Sequence, residues 1–107
     1  MVSIVTREQA LNALRPIKDP ELGYSVVDLG LVYDVTVSNT GACELRYTLT
    51  SPACPLGDVL ERDLRNALSH LPGILDVTLT LTFDPPWGPE RITEPLRREL
   101  RMMGLAV

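Results

Sequence analysis

Cys54 is the residue of this chain whose type and setting most favour chemistry. It directly precedes Pro55, which is well suited to the first position of a helix, so the pattern places the thiol at a helix N-cap. Unpaired backbone N–H groups and the positive end of the helix dipole favour the thiolate there, and the thiolate is both a nucleophile and a metal ligand. The alternative is an inert cysteine that only caps the helix.

A second candidate is the acidic turn that contains Asp19, Pro20 and Glu21. Most turns of this composition are solvated loops. The functional alternative is a carboxylate ligand or base that a proline-stiffened turn holds in place. The residue types alone leave both alternatives open.

Trp87 is the third candidate, because it is the only tryptophan and stands among three prolines in residues 84–89. It is either a lid on the edge of the core or an exposed anchor for a partner protein, since tryptophan is enriched at interface hot spots. In the second case we expect Asp84 and Pro86 to belong to the same partner surface.

Two further residues are predicted to be structural. Cys43 falls on the inward phase of a strand beside Leu45, where a free cysteine behaves as a small apolar side chain. Asp28 precedes a hairpin and is expected to anchor its start. The only histidine, His70, is predicted on the same helix as Cys54 and roughly 24 Å away at 1.5 Å per residue, which excludes a Cys–His catalytic pair within one chain.

Six predicted elements position these residues. A short first helix has Thr6 and Gln9 in a capping box, and two strands with period-two alternation over 31–37 and 43–50 flank the turn at 39–41. A long helix follows Pro55 and ends at Pro72. A third strand over 74–83 is expected to direct Val77, Leu79, Leu81 and Phe83 inward, and a last helix begins at Thr93 or Glu94.

The order αββαβα predicts an α/β (α+β) two-layer sandwich, in which a three-stranded sheet has its helices packed on one face. If the second and third strands are parallel and joined by the long helix, the loops that carry Cys54 and Trp87 emerge at the same edge of the sheet. We then expect Trp87 to border the Cys54 site and to belong to a surface that binds a client protein or a second copy of the chain.

Composition excludes several classes of protein. The 107 residues are expected to form a single domain, 1–107. A net charge of −4 and 5% aromatic residues disfavour a nucleic-acid partner, and no apolar run is long enough to span a membrane. Two cysteines cannot build a disulfide framework or a complete zinc site, which together with the N-terminal sequence predicts a cytoplasmic protein.

Four motifs in this order resemble those of the metal–sulfur cluster biosynthesis domain of SufT-like and PaaD-like proteins, within the iron–sulfur cluster assembly domain-like superfamily. They are DPELG at 19–23, VDLGLVY at 27–33, TLTSPACP at 48–55 and DPPW at 84–87. The resemblance implies the same αββαβα fold and a non-enzymatic role in iron–sulfur protein maturation. It also implies Cys54 and Glu21 as metal ligands.

The resemblance implies as partners the iron–sulfur assembly machinery and client apoproteins. Because a cluster usually needs four thiolates, a labile cluster or iron would be shared between two chains, as in a homodimer, completed by other ligands or held only transiently. The alternatives are a thiol-dependent enzyme that uses Cys54 as nucleophile and an oxygenase-maturation subunit of the PaaD type. No base is predicted near Cys54, so we assign no catalytic residue.

Overall fold

The structure is a computed structural model that describes residues 5–20, 22–50 and 57–105. The first helix, α1, spans Arg7–Leu14. The Thr6 hydroxyl accepts from the Gln9 N–H at 3.1 Å, and the Gln9 side chain accepts from the Thr6 N–H at 2.9 Å, so the predicted capping box is confirmed. Ala10 and Leu14 are the buried residues of this helix.

Strands β1, Val32–Val37, and β2, Ala42–Tyr47, form the predicted antiparallel hairpin. Gly41 has a φ of 86°, and a Cβ there would overlap the carbonyl oxygen of Gly73. The turn therefore requires glycine at this position. A bulge between Val32 and Asp34 interrupts the pairing near the start of β1.

The long helix α2, Gly57–Ser69, connects β2 to β3, Asp76–Leu81. β3 pairs with β2 in parallel, and the sheet order is β1-β2-β3. The apolar side of α2 repeats every four residues at Leu60, Leu64 and Leu68, which are all buried. The predicted crossover is confirmed, so the segments that follow β2 and β3 leave the sheet at the same edge.

The prediction for the third strand is partly wrong. β3 ends at Leu81, and both Leu81 and Phe83, which alternation places in the core, are exposed, by 45% and 38%. Alternation identifies the face of a strand on which a side chain lies, not whether another layer covers it. β3 is an edge strand, and Phe83 lies beyond the last paired residue.

A single turn of 3₁₀ helix, Pro89–Arg91, precedes the last helix, α3, Glu94–Met102. The inner face of the sheet carries the buried residues Val35, Cys43 and Leu45. The outer face carries the exposed residues Thr36, Glu44, Arg46, Thr78 and Thr80. One apolar face and one solvated face confirm the predicted two-layer α+β sandwich with a mixed three-stranded sheet.

Candidate functional site

The segments that lead into the cysteine motif and the DPPW motif leave the sheet at the carboxyl edge of the parallel pair β2–β3. Thr48–Thr50 continue from β2, and residues 82–93 continue from β3. The Thr82 N–H donates to the Tyr47 carbonyl at 2.9 Å and so keeps the two segments together past the end of β3. Open α/β sheets place their sites at such edges.

A line of backbone hydrogen bonds connects the acidic turn to the end of β2. The Val26 N–H donates to the Ile17 carbonyl at 3.0 Å and closes the loop that contains the acidic turn. The Leu31 N–H donates to the Val26 carbonyl at 3.0 Å, and the Thr48 N–H donates to the Leu31 carbonyl at 2.9 Å. The base of the acidic loop and the start of the cysteine-bearing segment are therefore fastened to the same short stretch of chain.

Asp19 is the described carboxylate of the acidic turn, and it is 1% exposed. Its Oδ2 accepts from the Leu22 N–H at 2.9 Å, and its carbonyl accepts from the Gly23 N–H at 2.8 Å. These bonds make Asp19 the residue that shapes the turn. Asp19 is not among the predicted site residues, although an Asp directly before Pro favours a turn.

The two predicted metal ligands, Cys54 and Glu21, lie outside the described residues, as does the predicted N-cap at Cys54. The described residues that flank the cysteine segment are Thr50 and Gly57. At Gly57 a Cβ would lie 3.1 Å from Cδ1 of Leu49, so the first residue of α2 packs closely against the end of the β2 segment.

Residues 84–93, which we call the strap, lie across residues 28–33. The indole N–H of Trp87 donates to the Leu29 carbonyl at 2.7 Å, and the Tyr33 hydroxyl donates to the Pro85 carbonyl at 2.7 Å. The guanidinium carbon of Arg91 lies 4.5 Å from the centre of the Tyr33 ring, within cation–π range. Trp87 is half-buried and packs against the core, which supports the lid alternative.

Backbone contacts complete the attachment of the strap. The Thr93 N–H donates to the Asp28 carbonyl at 2.8 Å, so Asp28 anchors this region through its backbone. Gly30 has a φ of 76°, and a Cβ there would overlap the carbonyl of Arg91. Asp84 and Pro86 are exposed on the outside of the strap. Their role in binding a partner stays a prediction.

Two titrating side chains of β2 face the core. Cys43 is 1% exposed, and burial, with a smaller contribution from Glu44, raises the pKa of its thiol. Burial likewise raises the pKa of Tyr47; the carboxylates of Glu61 and Asp58 add to the rise, whereas Arg65 opposes it. Cys43 therefore has the environment of a packing residue and stays a thiol at neutral pH.

The described ranges contain no group of three or more His, Cys, Asp or Glu side chains that could hold a metal ion. In the same ranges, no helix has the length and apolar character that crossing a membrane requires.

The family model for "Iron-sulfur cluster assembly protein" matches residues 7–83. The Fe-S protein maturation auxiliary factor YitW of Bacillus subtilis is 37% identical over 81% of this chain and 85% of its own length. The Fe-S protein maturation auxiliary factor SufT of Staphylococcus aureus is 42% identical over 64% of this chain and 78% of its own.

Among solved structures, a conserved hypothetical protein of Thermotoga maritima superposes with a TM-score of 0.82 at 42% identity, covering 94% of this chain and 98% of its own. The similarity in sequence therefore extends to the fold, and it includes the helix order and mixed sheet described above. The chain belongs to the iron–sulfur cluster assembly protein family.

Proposed function

We propose that this chain is a maturation factor for iron–sulfur proteins, which handles a cluster or iron as cargo. The observation that carries the proposal is the line of hydrogen bonds through Leu31, from Val26 to Thr48, since it fastens the bases of two segments that the resemblance marks as ligand-bearing. The names of the relatives, maturation auxiliary factors, support the same role.

We propose Cys54 and Glu21 as the residues that bind the cargo. Their two ligand atoms are too few for a cluster, which usually takes four thiolates. Two chains together would supply four ligands, so the cargo is held either in a homodimer or transiently before transfer. A site of this kind suits delivery, because the factor must also release what it binds.

The proposed role is non-enzymatic, because the relatives are named maturation factors. The partners that we propose are the iron–sulfur assembly machinery and client apoproteins. The described cysteine, Cys43, is a free thiol, as is usual in reducing compartments, and we propose the cytoplasm as the location.

Anaerobic reconstitution with ferrous iron and sulfide tests the proposal. We expect the wild-type chain to gain bound iron and the visible absorption of an iron–sulfur cluster, and Cys54→Ser to lose both. Glu21→Gln should reduce retention of iron. Cys43→Ala is the matched thiol control and Glu44→Gln the matched carboxylate control, because Cys43 is buried in the core and Glu44 lies on the outer face of the sheet.

Two measurements complete the experiment. Light scattering coupled to gel filtration of the reconstituted protein distinguishes a bridging homodimer from a loaded monomer. Incubation with an apo-ferredoxin then measures transfer. Equal iron binding by the wild type and Cys54→Ser would contradict the assignment of Cys54, and a cluster that is never released to an acceptor would contradict delivery.

A further inference from the structure

The edge strand β3 has one side that no neighbouring strand of the described residues covers. The N–H groups of Asp76 and Thr82 point toward the β2 side, where they donate to Gly41 and Tyr47. Because backbone groups alternate along a strand, those of Val77, Leu79 and Leu81 point away from β2. The sheet order confirms that β3 is an edge strand.

Arg65 covers only the first part of this edge. Its Nη1 donates to the Val77 carbonyl at 2.9 Å from the neighbouring helix α2. A cation over an edge strand is one of the devices that hinder unwanted strand pairing. Within the described residues, the backbone groups of Leu79 and Leu81 have no such cover, so the carboxyl half of β3 is open to a further strand.

Exposed apolar side chains lie at the same half of the strand. Leu81 is 45% exposed and Phe83, two residues later, 38% exposed. Both side chains are at the end of the sheet from which the segment that contains Cys54 departs. Large apolar side chains beside an open strand edge are typical of surfaces that bind extended peptides.

Acidic side chains are found toward this end of β3. Asp58 and Glu61 of α2 act electrostatically on the hydroxyl of Tyr47, which is the register partner of Leu81. Asp84 follows Phe83 directly and is exposed. Among the described cations in this region, Arg65 is directed to the Val77 carbonyl and, at 3.9 Å, to Glu61, and Arg91 stacks on the Tyr33 ring. The carboxylates of Asp58, Glu61 and Asp84 therefore favour a basic ligand.

We propose that the carboxyl half of β3 binds an extended, basic segment of a client or assembly protein. The segment adds a strand beside Leu79 and Leu81. It places an apolar side chain against Leu81 and Phe83 and directs lysine or arginine side chains to Asp58, Glu61 and Asp84. This rests on the proposed function and adds to it the chemistry of the partner.

The test uses isotope-labelled full-length protein without iron, so that its result is independent of cargo binding. The probe is the hexapeptide Lys-Thr-Val-Thr-Lys-Thr with blocked ends, in which lysine and valine share one face of the strand, and its counterpart has glutamate in place of lysine. We expect the lysine peptide to shift the amide resonances of Leu79 and Leu81 and to leave those of Thr36 on β1 unchanged. We expect the glutamate peptide to bind at least about tenfold more weakly.

Variants identify the surface. Phe83→Ser and Leu81→Ser should each weaken binding of the lysine peptide by about tenfold, since each removes a large apolar contact. Leu75→Ser is the matched control, because Leu75 is 84% exposed at the opposite end of β3 and should have no effect. If Leu81→Ser does not fold, Phe83→Ser decides the question, because Phe83 lies outside the strand.

Charge variants test the basic preference. Asp58→Asn combined with Asp84→Asn should weaken binding of the lysine peptide by about tenfold. Glu44→Gln is the matched control, because Glu44 lies on the outer face, and it should bind the peptide with the wild-type affinity.

Shifts confined to β1, equal binding of the two peptides, or absence of binding to wild type would each overturn the proposal. Shifts of the same β3 amides on concentrating the protein without peptide would instead identify a second copy as the occupant. An iron experiment that fails while the lysine peptide binds would overturn cargo binding and leave this surface in place.

Discussion

The indole N–H of Trp87 donates to the backbone carbonyl of Leu29 at 2.7 Å, which joins the DPPW motif to the VDLGLVY motif. Leu29 is buried, and Trp87 is half-buried against the core. The polar atom of the indole is therefore already used inside the protein. A role of Trp87 in partner binding, which stays a prediction, would have to use the exposed part of its ring.

Replacing Trp87 should destabilise the fold. Trp87→Ala removes both the ring packing and the bond to Leu29, and we expect the free energy of unfolding to fall by about 2–3 kcal/mol. Trp87→Phe retains most of the packing and should lose about 1 kcal/mol. Denaturant titration followed by circular dichroism measures both, because each variant lacks the only tryptophan fluorophore.

The same two variants separate the alternatives for Trp87. A lid on the core predicts a large loss of stability with unchanged partner binding per folded molecule. A partner anchor predicts the reverse, with a wild-type denaturation midpoint for Trp87→Ala and weaker capture of a client. A combination of lost stability and weaker binding would assign both roles to the ring.

Tyr33→Phe should loosen the strap while preserving the ring that faces Arg91. Loss of the hydroxyl bond to Pro85 should lower the free energy of unfolding by about 1 kcal/mol. We also expect the emission of Trp87 to move to longer wavelength and acrylamide to quench it more strongly. Tyr24→Phe is the matched control, because its hydroxyl lies 3.9 Å from the Met103 sulfur and makes no bond to the strap, and it should leave the emission unchanged.

Gly30→Ala should be considerably more damaging than Gly23→Ala. Both glycines have a φ of 76°, so alanine at either position carries the cost of a left-handed backbone, roughly 1–2 kcal/mol. Only at Gly30 would the new methyl group overlap the Arg91 carbonyl, whereas at Gly23 no atom of the described residues lies within 4 Å. We expect the difference in unfolding free energy to be about 2 kcal/mol. Equal losses of unfolding free energy would show that the backbone at Arg91 moves to accommodate the methyl group.

Cys43 should react slowly with alkylating agents. In the Cys54→Ser background, iodoacetamide should modify Cys43 only in denaturant, because the thiol is buried and burial raises its pKa. The folded chain therefore keeps this proton to higher pH than the unfolded chain, and stability should fall as pH rises through that interval. Labelling at the rate of a free thiol in the native protein would contradict the buried position. In the wild type we expect Cys54 to react first.

Much of the fold was predictable, since it depends on local signals. The Thr6–Gln9 capping box, the glycine turn at Gly41 and the four-residue repeat at Leu60, Leu64 and Leu68 are each visible within a few residues of sequence. The parallel pairing of β2 and β3 was predicted conditionally from the intervening helix, because such connections follow a fixed geometry.

The contacts of the strap could not be predicted. Tyr33 and Arg91 are far apart in sequence, and a cation–π contact leaves no periodic pattern in either segment. The exposure of Leu81 and Phe83 likewise depends on which layers cover the end of β3, and alternation carries no information about that. Cys54 and Glu21 stay predictions, because both lie outside the described residues.

The central strand β2 has one neighbouring strand that is close to it in sequence and one that is distant. β1 is joined to it by residues 38–41, whereas β3 follows only after the whole of α2. Because closing a longer loop has a larger entropic cost, we expect the hairpin to form early and β3 to take its register late in folding. The bond from Arg65 to Val77 requires both α2 and β3 to be in place. The surface beside the cysteine-bearing segment is therefore completed last, and protection of the Thr82 amide from hydrogen exchange should develop after that of the Thr36 amide, which faces β2 in the hairpin.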